Sequence, residues 1–130
     1  MKDFKEELIA YRLKRAPETF EDAQILAEHA KWNSSINRLY YACYYAITAL
    51  LMKSGYKTAT HSGVKSVFSE NFIKSKIISP ELGKVYAQLF TFRQKGDYSD
   101  FFDFTAERVL PYFKPVKTLI ETIEMRIFDE

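Results

Sequence analysis

Few residues in this chain are placed to do chemistry. Arg93, Asp97 and Tyr98 fall within ten positions of one another, in LFTFRQKGDY at 89 to 98. Arg93 continues an apolar stripe formed by Leu82, Tyr86 and Leu89, which predicts a partly desolvated guanidinium. Such a group needs a partner, and Asp97 lies one helical turn further on. The trio reads either as a helix-end ion pair with a core-packed tyrosine, or as a functional cluster. His61 opens a short helical stretch, where it is a solvated first-turn histidine or a proton carrier. Asn37 and Arg38 precede the most apolar stretch, as a polar tether between helices or as supporting groups of a site. Neither His61 nor His29 has a Cys or His at ligand spacing, so no metal is expected. There is no glycine-rich phosphate loop and no nucleophile elbow, and no cofactor is expected. Cys43, the single cysteine, sits where a thiol is inert packing.

These residues must be positioned by helices. The stretch NSSINRLYYACYYAITALLMKSG, Asn33 to Gly55, is apolar at nearly every position from Leu39 to Met52 and shows no two-residue alternation. A helix apolar on all sides is enclosed by others, so this one is expected at the centre, with Tyr41, Ala42, Tyr45 and Ala49 buried. Four tyrosine hydroxyls with Asn37 and Arg38 argue against a membrane span. Gly55 suits the left-handed residue that follows a helix, with Tyr56 folding back on Leu51.

Before it, Ile9, Leu13, Ala16, Phe20, Ala23, Ala27 and Ala30 recur at alternating four and three spacing, one stripe of one long helix. Pro17 lies inside that stripe and predicts a kink. Asn33, Ser34 or Ser35 is the expected cap of the central helix. After it, Thr60 caps a third, short helix with Val64, Val67, Phe68 and Phe72 on its apolar face. Ser79-Pro80-Glu81 is a strong fourth start. Gly96 is expected to end or loosen that helix, leaving DYSDFFDF, 97 to 104, as a loop that docks its rings. Thr105 caps the last helix, whose stripe is Val109, Phe113, Val116, Ile120, Ile123 and Ile127. Pro111 and Pro115 bend its first half or delay its start.

The expected fold is all-α: a five-helix, mostly antiparallel up-and-down bundle in one domain, 1–130. Apolar residues make up 47% and charged residues 28%, a globular balance. The net charge of +2 does not by itself imply a nucleic-acid partner. One cysteine suits a reducing, cytoplasmic location, and the charged MKDFKEELIA is not read as a signal peptide.

An ordered set of motifs carries a family resemblance. R-x-YYA-x-Y at 38 to 44, A-x-x-ALL at 46 to 51, Gly55, T-HSGV at 60 to 64, F-x-x-x-FIK at 68 to 74, and L-F-x-x-R-x-x-x-DY at 89 to 98 follow one another. From about Arg12 onward the chain resembles the HEPN domain, in particular its small stand-alone proteins with an arginine and a downstream Asp-Tyr. The resemblance implies a helical bundle and a homodimer with the arginine-bearing helices face to face. It also implies one of two activities. Many HEPN domains are metal-independent ribonucleases. Others partner small nucleotidyltransferases in toxin–antitoxin pairs, where the transferase adenylylates a HEPN tyrosine. On this chain, Arg93, Asp97 and His61 are the implied catalytic candidates. Tyr98 is the candidate for modification or nucleotide binding. The nuclease pattern has an arginine, four to six residues, then a histidine. Here QKGDYSDFFDF follows Arg93, and no histidine comes later. Asp97 is a poor base beside an arginine, and His61 serves only if the fold brings it to Arg93. The readings left open are a dimeric RNA-binding or nucleotide-binding subunit with a transferase partner, a ribonuclease, and a purely structural helical dimerisation protein.

Overall fold

A computed structural model describes residues 3–98 and 103–128, with the backbone alone at 95–98. Helix α1 spans Phe4–Glu28, α2 Trp32–Lys53, α3 His61–Phe68, α4 Pro80–Tyr98, α5 Ala106–Val109 and α6 Phe113–Phe128. A π turn, Ser69–Ile73, extends α3, and a 3-10 turn, Leu110–Tyr112, joins α5 to α6. The last three pieces keep right-handed helical backbone at their junctions, so they make one rod. Five helical rods result, and the described residues contain no strand.

Helix α2 touches every other helix, which is the arrangement its all-round apolarity demands. Leu39, Tyr40, Ala42, Cys43, Ala46, Ile47, Ala49, Leu50 and Leu51 are fully buried or nearly so. Two of the expected core positions differ. Tyr41 and Tyr45 are only half-buried, because that edge of α2 is covered by arginine side chains rather than by a helix. Ile9, Ala16 and Ala23 of α1 meet the core, and so do Val109, Val116, Ile120, Ile123 and Ile127 of the last rod. Leu119 joins them. Pro17 does not interrupt α1, which runs unbroken from Phe4 to Glu28.

The ends of the helices show which local signals act. Gly55 has φ +89°, and Tyr56 N–H donates to the Leu51 carbonyl at 2.9 Å, the expected Schellman closure. The Tyr56 ring meets Phe72 edge-on at 6.3 Å. Thr60 and Thr105 accept from the backbone N–H of Gly63 and Arg108, as caps should. The expected cap of α2 is corrected. That helix starts at Trp32 with Lys31 before it and no side-chain cap. Ser35 lies inside, buried, and its hydroxyl donates to the Ala23 carbonyl of α1 at 2.9 Å. Asn33 is used further away: it accepts from Phe104 N–H at 2.8 Å and donates to Asp103 at 3.3 Å. Helix α4 also differs from expectation, since it runs through Gly96 to Tyr98. Of the expected 97–104 loop, Asp97 and Tyr98 are helical and 99–102 lie outside the described residues. Phe104 docks as expected, buried with its ring 5.3 Å from Phe92.

Ala30 closes α1 in the left-handed region, φ +56°, with Lys31 N–H on the Leu26 carbonyl at 2.9 Å. An alanine there carries a steric cost that glycine does not, offset in part by glycine's larger entropy loss. Ala30→Gly is expected to stabilise the fold by about 0.5–1 kcal/mol. Urea unfolding checks this, and an unchanged or lowered midpoint counts against the strain.

Candidate functional site

Three helices bring one polar and aromatic cluster together. On α2, Asn37, Tyr40, Tyr41 and Tyr44 stand at i, i+3, i+4 and i+7, one face of a helix. On α4, Tyr86, Phe90 and Arg93 stand at i, i+4 and i+7. At the start of α3, the Thr60 cap fixes the first turn and aims His61 at the α2 face. His61 Nδ1 is 2.8 Å from the Tyr40 hydroxyl. Its ring stacks on Tyr44 at 4.5 Å and meets Tyr41 edge-on at 5.9 Å. The expected solvated imidazole is therefore half-buried between tyrosines.

Arg93 reaches the same two residues. Its Nε donates to the Tyr41 hydroxyl at 3.3 Å, and its guanidinium carbon is 5.7 Å from the Tyr40 ring centroid and 5.9 Å from that of Tyr41. Arg38 lies over the other part of the Tyr41 surface, 4.9 Å from its centroid, and donates to Asn37 Oδ1 through Nε and Nη2 at 3.3 and 2.8 Å. Among the described residues, the hydrogen bonds of Asn37 and Arg38 run between the two rather than across helices. They pair with each other and face α4. A groove of about 470 Å3 runs beside them, lined by Asn37, Arg38, Phe92, Arg93 and Phe104 among others. Two further cations lie over rings: Arg15, which also pairs with Glu18, over Tyr45 at 5.4 Å, and Lys65 over Phe90 at 5.0 Å. Arg38 has no carboxylate within ion-pair range among the described residues. This arrangement can hold an anion on guanidinium donors and a flat apolar group on tyrosine faces.

The fold therefore gathers Arg93, His61, Asn37 and Arg38. Asp97 and Tyr98 occupy the last turn of α4, and their side chains lie outside the described residues, as does the expected Arg93–Asp97 pairing. Sequence reasoning missed Tyr40, Tyr41 and Tyr44 as site residues and read them as core. The signal was their spacing from Asn37, which puts a polar residue and three hydroxyls on one helical face. Among the described residues, no three His, Cys, Asp or Glu side chains gather closely enough to hold a metal ion. None of the described helices is long and apolar enough to cross a membrane.

Burial pushes the Tyr40 phenol up to about 12, partly countered by Tyr86 and by the Arg93 charge. Burial also raises Tyr44 and Tyr86, and it raises the Cys43 thiol. Each group keeps its proton longer folded than unfolded. Between the two values the native state then binds more protons, so stability falls with rising pH. For Tyr40 the contribution is complete below about pH 10 and is lost as pH rises through about 12. Urea midpoints are expected to drop steeply above about pH 10. Tyr40→Phe should make that drop shallower; an equally steep drop would remove Tyr40 as its source.

Comparison with known proteins places this geometry in a family. A sequence model of the HEPN domain matches residues 9–126. A UPF0332 protein of Thermotoga maritima is 36% identical over 125 residues, covering 96% of this chain and 95% of the relative. Two proteins of Methanocaldococcus jannaschii, both provisionally named toxins, are similar over less of the chain. One is 30% identical over 98 residues, 75% of this chain and 72% of its own length. The other is 28% identical over 86 residues, 66% and 58% respectively. With nearly all of the helical core inside the match, the chain belongs to the HEPN domain family.

Proposed function

We propose that this protein is a toxin-like HEPN subunit that binds RNA through its phosphates, acts as a homodimer and pairs with a nucleotidyltransferase partner. The observation that supports it is the convergence of Arg93, Arg38 and His61 on the Tyr40 and Tyr41 rings. A phosphodiester presents charged oxygens in fixed directions, and a guanidinium matches them with paired N–H groups. The half-buried faces of Tyr41 and Tyr44 suit a stacked base. The net charge is only +2, so the positive potential is local, which fits contact with few phosphates rather than a long duplex. Tyrosine and arginine at partial exposure are also the composition of a protein contact, in keeping with a second copy across the Arg93 helix. The provisional toxin names of two relatives support the toxin-like assignment. Tyr98 closes α4 five residues after Arg93, and we assign its hydroxyl as the acceptor of a nucleotide from the partner. The added phosphate would compete with RNA for the arginine.

One observation favours a second reading, a metal-independent ribonuclease. The family's histidine after the arginine is missing, yet His61 arrives from α3 at the same two tyrosines that Arg93 contacts. Asp97, Arg93 and His61 would then be its catalytic groups.

A fluorescein-labelled single-stranded RNA, purified protein and EDTA separate the readings. Binding that weakens with salt, and about tenfold or more in Arg93→Ala, is the expected result. Cleavage that persists in EDTA and disappears in Arg93→Ala would establish the ribonuclease. Neither binding nor cleavage would remove both, and a monomer by light scattering at micromolar concentration would remove the homodimer.

A further inference from the structure

Away from the tyrosine cluster, the start of α1 and the end of α2 enclose a cleft of about 380 Å3. Lys5, Leu8 and Arg12 line it from α1, at i, i+3 and i+7 on one face of the helix. Thr48, Leu51 and Met52 line it from α2, at i, i+3 and i+4. The link after α2 supplies the third wall. Left-handed Gly55 and the bond from Tyr56 N–H to the Leu51 carbonyl fix the start of that link, and Lys57 follows at once.

The inner surface makes no polar demand. Leu8 and Met52 are half-buried, Leu51 is buried, and the Thr48 hydroxyl already donates to the Tyr45 carbonyl at 3.0 Å. The charges around it are all of one sign. Lys5, Arg12 and Lys57 line the cleft, and no acidic side chain does. Among the described residues, no carboxylate lies within ion-pair distance of any of the three. Two acids from the same end of α1 are used elsewhere. Asp3 caps the helix by accepting from Glu6 N–H at 2.8 Å, and Glu6 lines the separate groove between α1 and α6. Three like charges around one apolar cleft repel one another, and an anion placed among them relieves that repulsion.

The shape of the cleft selects the occupant. A peptide added as a strand needs an open backbone edge, and both long walls are helices whose backbone is bonded within itself. A lipid surface needs a broad apolar face rather than a cleft between elements. The volume is near the low end for small-molecule cavities, about 300–1,000 Å3, which suits a short body. We propose that this cleft binds a small amphiphilic anion, with a short aliphatic chain on Leu8, Leu51 and Met52 and a carboxylate or phosphate head held by Arg12, Lys5 and Lys57. Both heads offer the same chemistry, charged oxygens that accept N–H bonds from cations. The site uses none of Arg93, Arg38 and His61, so it stands or falls apart from the RNA reading.

The test is 1H–15N correlation spectroscopy of the full-length protein, titrated separately with octanoate and octyl phosphate below micelle formation. At least one probe is expected to give saturable, one-to-one shifts confined to amides around Lys5, Leu8, Arg12, Met52 and Lys57, and the tighter probe identifies the head. Acetate has a head without the chain, and 1-octanol has the chain without the charge. Each should bind at least about tenfold more weakly. Arg12→Gln combined with Lys57→Gln should weaken the better probe by about tenfold. Lys57→Gln alone, at an exposed position that leaves the fold intact, should weaken it by about threefold. No saturable shift, shifts centred elsewhere, an equal response to 1-octanol or acetate, or unchanged affinity in both variants overturns the proposal. Flotation with phosphatidylglycerol vesicles that captures the protein while neither soluble probe shifts the cleft would assign these cations to a membrane surface, and that also overturns it.

Discussion

The buried hydroxyl of Tyr40 constrains more of this molecule than any other group. A phenol with no access to water must find a partner inside the protein. Its position on α2, in the middle of the helix that all the others surround, means that the partner has to be brought to it. His61 is brought by the first turn of α3, and the Thr60 cap that fixes this turn therefore affects the site as well as the helix. Tyr86 and Arg93 are brought by α4, two turns apart on one face. The packing of α3 and α4 against α2 is thus specified by direction as well as by apolar area. Hydrophobic burial alone would tolerate small rotations of either helix; a 2.8 Å hydrogen bond and a stacked ring do not.

Much of the architecture was legible because the apolar spacing is regular. The stripes of α1 and of the last rod fell on the core, except that Ala30 is exposed beyond the end of α1, and Gly55, Thr60 and Thr105 acted at the helix ends where local chemistry decides. The misreadings share a cause. Ser35 and Asn33 look like caps because capping is their commonest local use, yet tertiary contacts claim both: Ser35 ties α2 to α1, and Asn33 holds the backbone at Phe104. Gly96 looks like a stop, but a glycine costs a helix only about 1 kcal/mol, which neighbouring turns can offset. The site was half legible. Arg93 declared itself by breaking an apolar stripe. The tyrosines did not, because a phenol has the area of a core residue and the hydroxyl of a polar one, and spacing cannot say which governs. Tyr40 turned out to be both, while Tyr41 and Tyr45 stayed at the edge.

How a chain with so little net charge keeps a cationic site follows from what its arginines touch. A guanidinium offers five N–H donors in its plane and a flat face above and below. An ion pair with a carboxylate uses the donors and cancels the charge. A tyrosine ring uses the face and leaves the charge intact. Arg38 is seated in the second way, over Tyr41, and places two of its donors on the neutral carbonyl of Asn37. Among the described residues, no carboxylate takes the remaining donors or the charge. Arg93 also lies against the Tyr40 and Tyr41 rings. The two ion pairs among the described residues, Arg15–Glu18 and Lys74–Glu70, lie outside the Tyr40 cluster. Seating arginines on rings also orders their side chains before any ligand arrives, so less rotamer freedom is lost on binding. The aromatic richness of α2, which looks in the sequence like a surplus of core residues, is therefore what holds positive charge at one place on an otherwise nearly neutral protein.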